Sequence, residues 1–133
     1  MQMSDSVKKI LDGVNPGVLA TVNADGSPQT SVVWLMLDGE DILISSQAGR
    51  RKDRNIARDP RVSLTVYDVR DPLAYVEVRG TATLAEDEGR ALAVALAERY
   101  EGAGAGEEYL QLPPEVVRIV IRVSPNHVAG SAT

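Results

Sequence analysis

Cysteine and phenylalanine are absent from this chain, and histidine and tryptophan occur once each. The first absence excludes disulfides, thiol nucleophiles and thiolate metal sites, and it fits a reducing cytosol. A single histidine, His127, supports neither a Ser-His-Asp set nor a paired-histidine zinc motif, so we read it as structural. No glycine-rich loop ends in Gly-Lys-Ser or Gly-Lys-Thr, which removes the phosphate-loop nucleotide site. Aromatic residues make up 4% of the chain, too few to build a stacking platform for single-stranded nucleic acid. Positive charge is in deficit too, with 14 Lys and Arg against 19 Asp and Glu and a net charge of -5. General attraction to nucleic acid or anionic lipid is not expected from that balance. Long hydrophobic runs are also missing. The first twelve residues carry Asp5, Lys8, Lys9 and Asp12, unlike a signal peptide or a membrane span. We therefore expect a cytoplasmic protein with no metal centre and no membrane or nucleic-acid partner. An enzyme with so few acid-base groups needs a cofactor to carry its chemistry.

Against that background one stretch stands out. Arg50, Arg51, Lys52, Arg54 and Arg58 place five of the 14 cations close together, with only Asp53 and Asp59 to offset them. The preceding Ile42–Ser46 alternates like a strand ending on small hydroxyl residues, and Pro60 closes the run, so a short helix is predicted between them. A strand-to-helix passage aims free N–H groups and the positive end of the helix dipole at one spot. Lys52 and the arginines would surround it, arginine gripping oxygens in pairs and lysine acting as a point charge. The spot reads as a phosphate site; the competing reading is a solvated helix face.

The remainder is read as one domain, residues 1–133, without internal repeats. Ser4 caps a helix to Leu11, and Gly17–Asn23 is a strand turned by Asn23-Ala24-Asp25-Gly26 into a second, Pro28–Leu37. Beyond Ser31 that second strand is apolar on both faces, which implies a subunit interface or a bound ligand on its outer side. Strands follow at Ile42–Ser46, Arg61–Tyr67 and Ala74–Leu84, with Asp71-Pro72 as a break. Glu86–Tyr100 reads as a helix with Ala91, Leu92, Ala95 and Leu96 as its buried stripe. Gly102–Gly106 is a flexible link, and Glu107–Leu112 is one or two helical turns. Val116–Val123 is the last long strand, with Val117, Ile119, Ile121 and Val123 inward, and Asn126–Gly130 is a short final strand or tail. The fold class is mainly β: a six- to seven-stranded antiparallel split barrel with flanking helices, since closure removes exposed edges. A five-stranded oligonucleotide-binding barrel is the rival, but it offers no natural place for a five-cation helix.

The run from Gly49 to Leu64 resembles the signature of the pyridoxamine 5'-phosphate oxidase-like split barrels, which bind flavin or deazaflavin. Gly17-Val18-Leu19-Ala20-Thr21, Asp25–Ser31 and His127-Val128-Ala129-Gly130 resemble the same family in order and spacing. The resemblance implies a homodimer with two cofactor sites at the subunit interface. It implies that Arg50 and Lys52, with Arg51 as the alternative, hold the cofactor phosphate, helped by Ser45 and Ser46. Gln29, Ser31 and Val33 would lie along the ring system, and Tyr75, Glu77 and Arg79 would reach it from the other subunit. True pyridoxamine phosphate oxidase has a longer N-terminus and a C-terminal Arg- and His-bearing segment that this sequence does not show. The pattern Arg50-x-Lys52-x-Arg54-Asn55 with Pro28-Gln29-x-Ser31 resembles the branch that uses coenzyme F420, whose oligoglutamate tail suits the surplus cations Arg54 and Arg58. The expected function is an F420-dependent oxidoreductase passing hydride to an unsaturated small molecule. The alternatives are an FMN-dependent oxidoreductase using the same site and a cofactor-binding protein without catalysis. No catalytic residue is assigned.

Overall fold

A computed structural model describes residues 1–133. Alternation of apolar and polar residues becomes seven antiparallel strands: β1 (Gly17–Val22), β2 (Pro28–Val33), β3 (Leu35–Asp38), β4 (Asp41–Gln47), β5 (Arg61–Asp68), β6 (Asp71–Glu86) and β7 (Arg118–Ala129). The helices are α1 (Asp5–Leu11), α2 (Arg51–Arg58), α3 (Ala91–Glu101) and α4 (Glu107–Leu110), with a 3-10 turn at Glu88–Arg90 before α3. The order across the sheet is β2-β1-β5-β6-β7-β4-β3. Its two edge strands are consecutive in the chain, separated by Trp34 alone. The sheet therefore curls until both edges meet in one kinked segment, giving the predicted split barrel.

The inner face carries the alternating apolar residues, and Leu19, Ile44, Leu64, Val78 and Ile121 are wholly buried there at 0% exposure. Their removal from water is the main favourable contribution to folding. Helix α1 packs Val7, Ile10 and Leu11 into the same core at one end, beside the turns at Glu40 and Val69. Helix α2 enters the other end through Ile56, and Asn55 donates to Thr21 and Asn23 at 2.9 Å each. No helix is long and apolar enough to cross a membrane.

Four sequence expectations change. Pro28–Leu37 is two strands, because Trp34 leaves the ladder so that one half pairs with β1 and the other with β4. Asp71-Pro72 opens β6 instead of breaking it, at a strand start where the missing proline N–H is tolerated. The helix after β6 begins at Ala91 because Gly89 and Arg90 are left-handed, with φ of 65° and 57°. That turn rotates the buried stripe to Leu92, Ala93, Leu96 and Ala97, leaving Ala91 and Ala95 exposed. Finally, the last long strand and the tail are one strand, Arg118–Ala129, and Val117 stands outside it at 38% exposure.

The kink at Trp34 is held from α3. Tyr100 stacks on Trp34 with ring centroids 5.2 Å apart and planes 10° from parallel. Its hydroxyl accepts from the Leu35 N–H at 3.2 Å and donates to the Asn15 carbonyl at 2.8 Å. Burial raises the pKa of this phenol above its ordinary value, so it stays a donor at neutral pH. Tyr100→Phe leaves a backbone N–H without its partner and is expected to cost about 1–3 kcal/mol in urea unfolding followed by Trp34 fluorescence. A second constraint lies at the register shift between Arg79 and Gly80, where a Cβ on Gly80 would sit 2.2 Å from the Ser124 carbonyl oxygen. Both sides of that contact are backbone, so Gly80→Ala is expected to destabilise by about 3 kcal/mol or more. A loss below about 1 kcal/mol in the same assay would contradict this backbone constraint.

Candidate binding cleft

A cleft of about 260 Å³ opens where the end of β4, the start of α2, the start of β7, α3 and the kinked strand converge. One wall is apolar: Val32, Val33, Trp34, Ala93 and Leu96. The other is polar and cationic, formed by Ser45, Ser46, Gln47, Arg50, Lys52 and Arg118, and Tyr109 stands between the two. Local sequence explains the placement. Strand β4 alternates so that Ile42, Ile44 and Ser46 point inward and Ser45 and Gln47 outward, and the chain then leaves the sheet at Ala48-Gly49 with Gly49 at φ 94°. That turn puts Arg50 and Lys52 beside the serines.

The cationic wall holds two buried polar atoms without a partner. Ser46 is 3% exposed and its Oγ makes no hydrogen bond; the Nε of Arg118 is likewise buried and unpaired. Most buried polar groups are satisfied, so the unpaired Arg118 Nε is hydrogen-bonding capacity that the fold itself does not use. The Arg118 Nη2 donates to Ser45 Oγ at 2.9 Å, and its guanidinium lies 5.1 Å from the centre of the Tyr109 ring. Burial lowers the pKa of Lys52, Asp53 offsets part of that, and Arg50 and Arg118 add to the lowering. Arg118 is lowered chiefly by burial as well. Lys52 and Arg118, both half out of water, with the exposed Arg50 beside them, form a cluster that an anion would stabilise.

Helix α2 contributes less at its N-terminus than its sequence implies. Asp53 is 5% exposed and accepts the Arg50 N–H at 3.3 Å through Oδ2, so this carboxylate occupies part of the helix's positive end. Of the five clustered cations only Arg50 and Lys52 line the cleft. Arg51 borders a hollow with Asn23, Ala24 and Asp25, and Arg54 a groove with Ala57 and Leu84. Arg58 is tied to the Val22 carbonyl and, at 3.3 Å, to Asn55 Oδ1.

The structure thus gathers Val33, Ser45, Ser46, Arg50 and Lys52 and leaves other candidates elsewhere. Gln29 pairs with Thr21 at 2.5 Å, and Asn55, at 0% exposure, is bonded within the fold. Ser31 lies outside the cleft lining, its hydroxyl buried and without a partner. Tyr75, Glu77 and Arg79 lie on the outer face of β6, where Arg79 pairs with Glu77 at 2.9 Å. Arg118, Tyr109 and Trp34 were not among the site residues expected from sequence. Alternation does place Arg118 on the outer face of β7, but only the register Gln47↔Arg118 brings it beside Ser45. No local pattern encodes that pairing.

Residues 3–131 match the family model described as pyridoxamine 5'-phosphate oxidase. A solved structure named F420 reductase superposes with a TM-score of 0.82 at 32% identity, covering 96% of this chain and 98% of that one. The conserved hypothetical protein Rv2991 from Mycobacterium tuberculosis aligns with a TM-score of 0.74 at 26% identity, over 96% of this chain and 84% of its own. A candidate pyridoxamine 5'-phosphate oxidase from Listeria innocua, 23% identical, shares the fold with a TM-score of 0.73 over 97% and 98% of the two chains. With nearly its whole length matched and the cationic cleft in place, the chain belongs to the pyridoxamine 5'-phosphate oxidase family of split-barrel proteins.

Proposed function

We propose that this protein is a homodimeric F420-dependent oxidoreductase that reduces an unsaturated small molecule in the cytoplasm. The observation that carries the reading is the cationic half of the cleft, where Arg118 keeps a buried, unpaired Nε beside Lys52 and Arg50, set against an apolar other half. Such a bipolar site suits a phosphate-bearing ring compound, and the likeness to the structure named F420 reductase favours the deazaflavin. Arg50, Lys52, Arg118, Ser45 and Ser46 are the groups that would hold its phosphate, with Val33 and Trp34 against the ring. When bound, F420 supplies the hydride. The chain's own task is to bind, orient and keep water away, which the apolar wall and the few titratable groups of the cleft fit.

The dimer has its own support. Val32 is 72% exposed on edge strand β2, yet it also lines the cleft. Register aligns it with Val18, Thr65 and Glu77 in a row across β2, β1, β5 and β6. A second copy seated on that row covers Val32 and brings Tyr75 and Glu77 toward a neighbouring cleft.

One observation favours the second reading, FMN in the same cleft. Arg58 is bonded within the fold and Arg51 and Arg54 face other hollows, so the cleft itself offers cations for one compact phosphate and not for a long polyanion. Parallel titrations with F420 and FMN, read by quenching of Trp34, separate the two. We expect tighter binding of F420, followed by turnover with an enone or quinone acceptor. Tighter FMN binding transfers the assignment to a flavin, and binding without turnover on any acceptor leaves a carrier.

Lys52 gives a sharper prediction. Its pKa is lower in the folded than in the unfolded chain, so its charge opposes folding below the folded pKa, and stability is recovered as pH rises toward the unfolded value. A bound anion reverses that preference. Lys52→Met should therefore melt at or above the wild-type temperature while losing at least about tenfold in cofactor affinity, or about 1.4 kcal/mol. Wild-type affinity should fall as pH rises through the lowered Lys52 pKa. A variant that melts lower and binds equally well would show Lys52 to be structural.

A further inference from the structure

We infer that Arg90 is a positioning residue for the cleft, fixing the wall that carries Tyr109 and Arg118 without touching the ligand space itself. It borders a separate hollow with Glu86, Glu88, Pro114 and Val116, and it is absent from the cleft lining. Its backbone is left-handed at φ 57°, a conformation that non-glycine residues adopt rarely, following Gly89 at φ 65°. From that turn the guanidinium reaches four carbonyl oxygens of one loop. Nη1 donates to Tyr109 at 2.9 Å and Leu112 at 2.7 Å, and Nη2 donates to Pro113 at 2.7 Å and Val116 at 2.9 Å. The segment spanned includes Pro113-Pro114 and lies outside the sheet, and its backbone bonds are few and local: Gln111 to Glu107 at 3.2 Å, Leu112 to Tyr109 at 3.4 Å and Val116 to Pro113 at 3.0 Å. Arg90 is therefore the main tie on that loop.

The same turn is joined to the other two elements of the wall. The Asp87 carboxylate accepts the N–H groups of Leu92 and Ala93 at 2.9 Å each, setting the start of α3, and Ala93 lines the cleft. The Asp87 N–H donates to the Arg118 carbonyl at 2.9 Å, and Arg90 N–H to the Asp87 carbonyl at 2.9 Å. Tyr109, held by Arg90, lies over the Arg118 guanidinium at 5.1 Å from its ring centre. Release of the loop removes Tyr109 from Arg118, and Arg118 then loses the contact that directs its unpaired Nε. A lysine keeps the charge but has one nitrogen in place of a planar fork, so it cannot serve four carbonyls at once.

The inference rests on the cofactor reading for its ligand but not for its geometry, and the test separates the two. Arg90→Met, Arg90→Lys, Tyr109→Ala and the Arg90→Met/Tyr109→Ala double variant are compared with wild type. Hydrogen exchange on the free protein should show amides of residues 107–117 exchanging more than about tenfold faster in both Arg90 variants, with the barrel strands unchanged. Titration by Trp34 quenching should show about a tenfold weaker affinity, in Arg90→Met, for whichever of F420 or FMN the wild type binds. The double variant should bind no worse than Tyr109→Ala, since a residue acting through Tyr109 gives non-additive effects. Unchanged exchange, exchange that rises across the whole barrel, additive losses, or a lysine variant that behaves as wild type would each overturn the assignment. Wild-type protein that binds neither compound would sink the cofactor reading, and the exchange comparison would still decide the role of Arg90.

Discussion

The fold turns on one residue that leaves the hydrogen-bond ladder. Residues 28–38 pair with β1 through Pro28–Val33 and with β4 through Leu35–Asp38, and Trp34 between them pairs with neither. Without that interruption the two edges of the sheet could not be brought together, because the twist that curls the sheet needs a bend somewhere along its closing strand. A broken ladder exposes backbone groups that must find partners. Tyr100 supplies one by accepting from the Leu35 N–H, and it covers Trp34 with its ring. The helix that carries Tyr100 is thereby fixed over the outer side of β4, and its Ala93 and Leu96 become the apolar wall of the cleft. Barrel closure and cleft formation follow from the same kink.

Charge is then sorted by whether it finds a partner in the fold. Arg118 and Arg122 occupy the same face of β7, four residues apart, and meet different surroundings. Arg122 is paired to Asp38 at 2.9 Å and to Asp41 at 3.1 Å, so it clamps the β3–β4 turn and is satisfied. Arg118 has a serine hydroxyl and an aromatic ring but no carboxylate, and part of its hydrogen-bonding capacity is buried unused. In a chain of net charge -5 with carboxylates to spare, a cluster of Arg50, Lys52 and Arg118 with only the carboxylates of Asp53 and Asp87 acting on it favourably is poorly stabilised by the fold alone. Clusters of that kind are maintained for what they bind.

Much of this was legible in the sequence where the signal is local. Period-two alternation located the strands β1, β4 and β5 and the inward Ile119, Ile121 and Val123 of β7, the cap at Ser4 fixed the start of α1, and the density of cations in residues 50–58 marked the vicinity of the cleft. What escaped depends on register or on a single turn. The stripe of α3 was misplaced because nothing in Glu88-Gly89-Arg90 announces two successive left-handed residues. The division among the clustered cations follows from the packing of α2 into the barrel end through Ile56, which aims Arg50 and Lys52 one way and Arg51 and Arg54 others. Arg118 lies some sixty residues from the basic run, and only the pairing of β4 with β7 unites them.

The two faces of the curled sheet are treated unequally, and this inequality connects the fold to the proposed assembly. Helices α1 and α2 fill the barrel ends and α3 lies against β4, whereas the row Val32, Val18, Thr65 and Glu77 ends at an edge-strand valine that is 72% exposed. An edge strand with a bare valine is normally guarded by charge or by a bulge, and β2 has neither at Val32. Because Val32 also lines the cleft, whatever covers the row also changes the mouth of the ligand site. The cleft has about 260 Å³, and Val32 is at once part of its lining and exposed to solvent. In the proposed dimer a second copy placed there would enclose a ligand that one chain can only flank, and assembly and ligand retention would then be coupled through this one side chain.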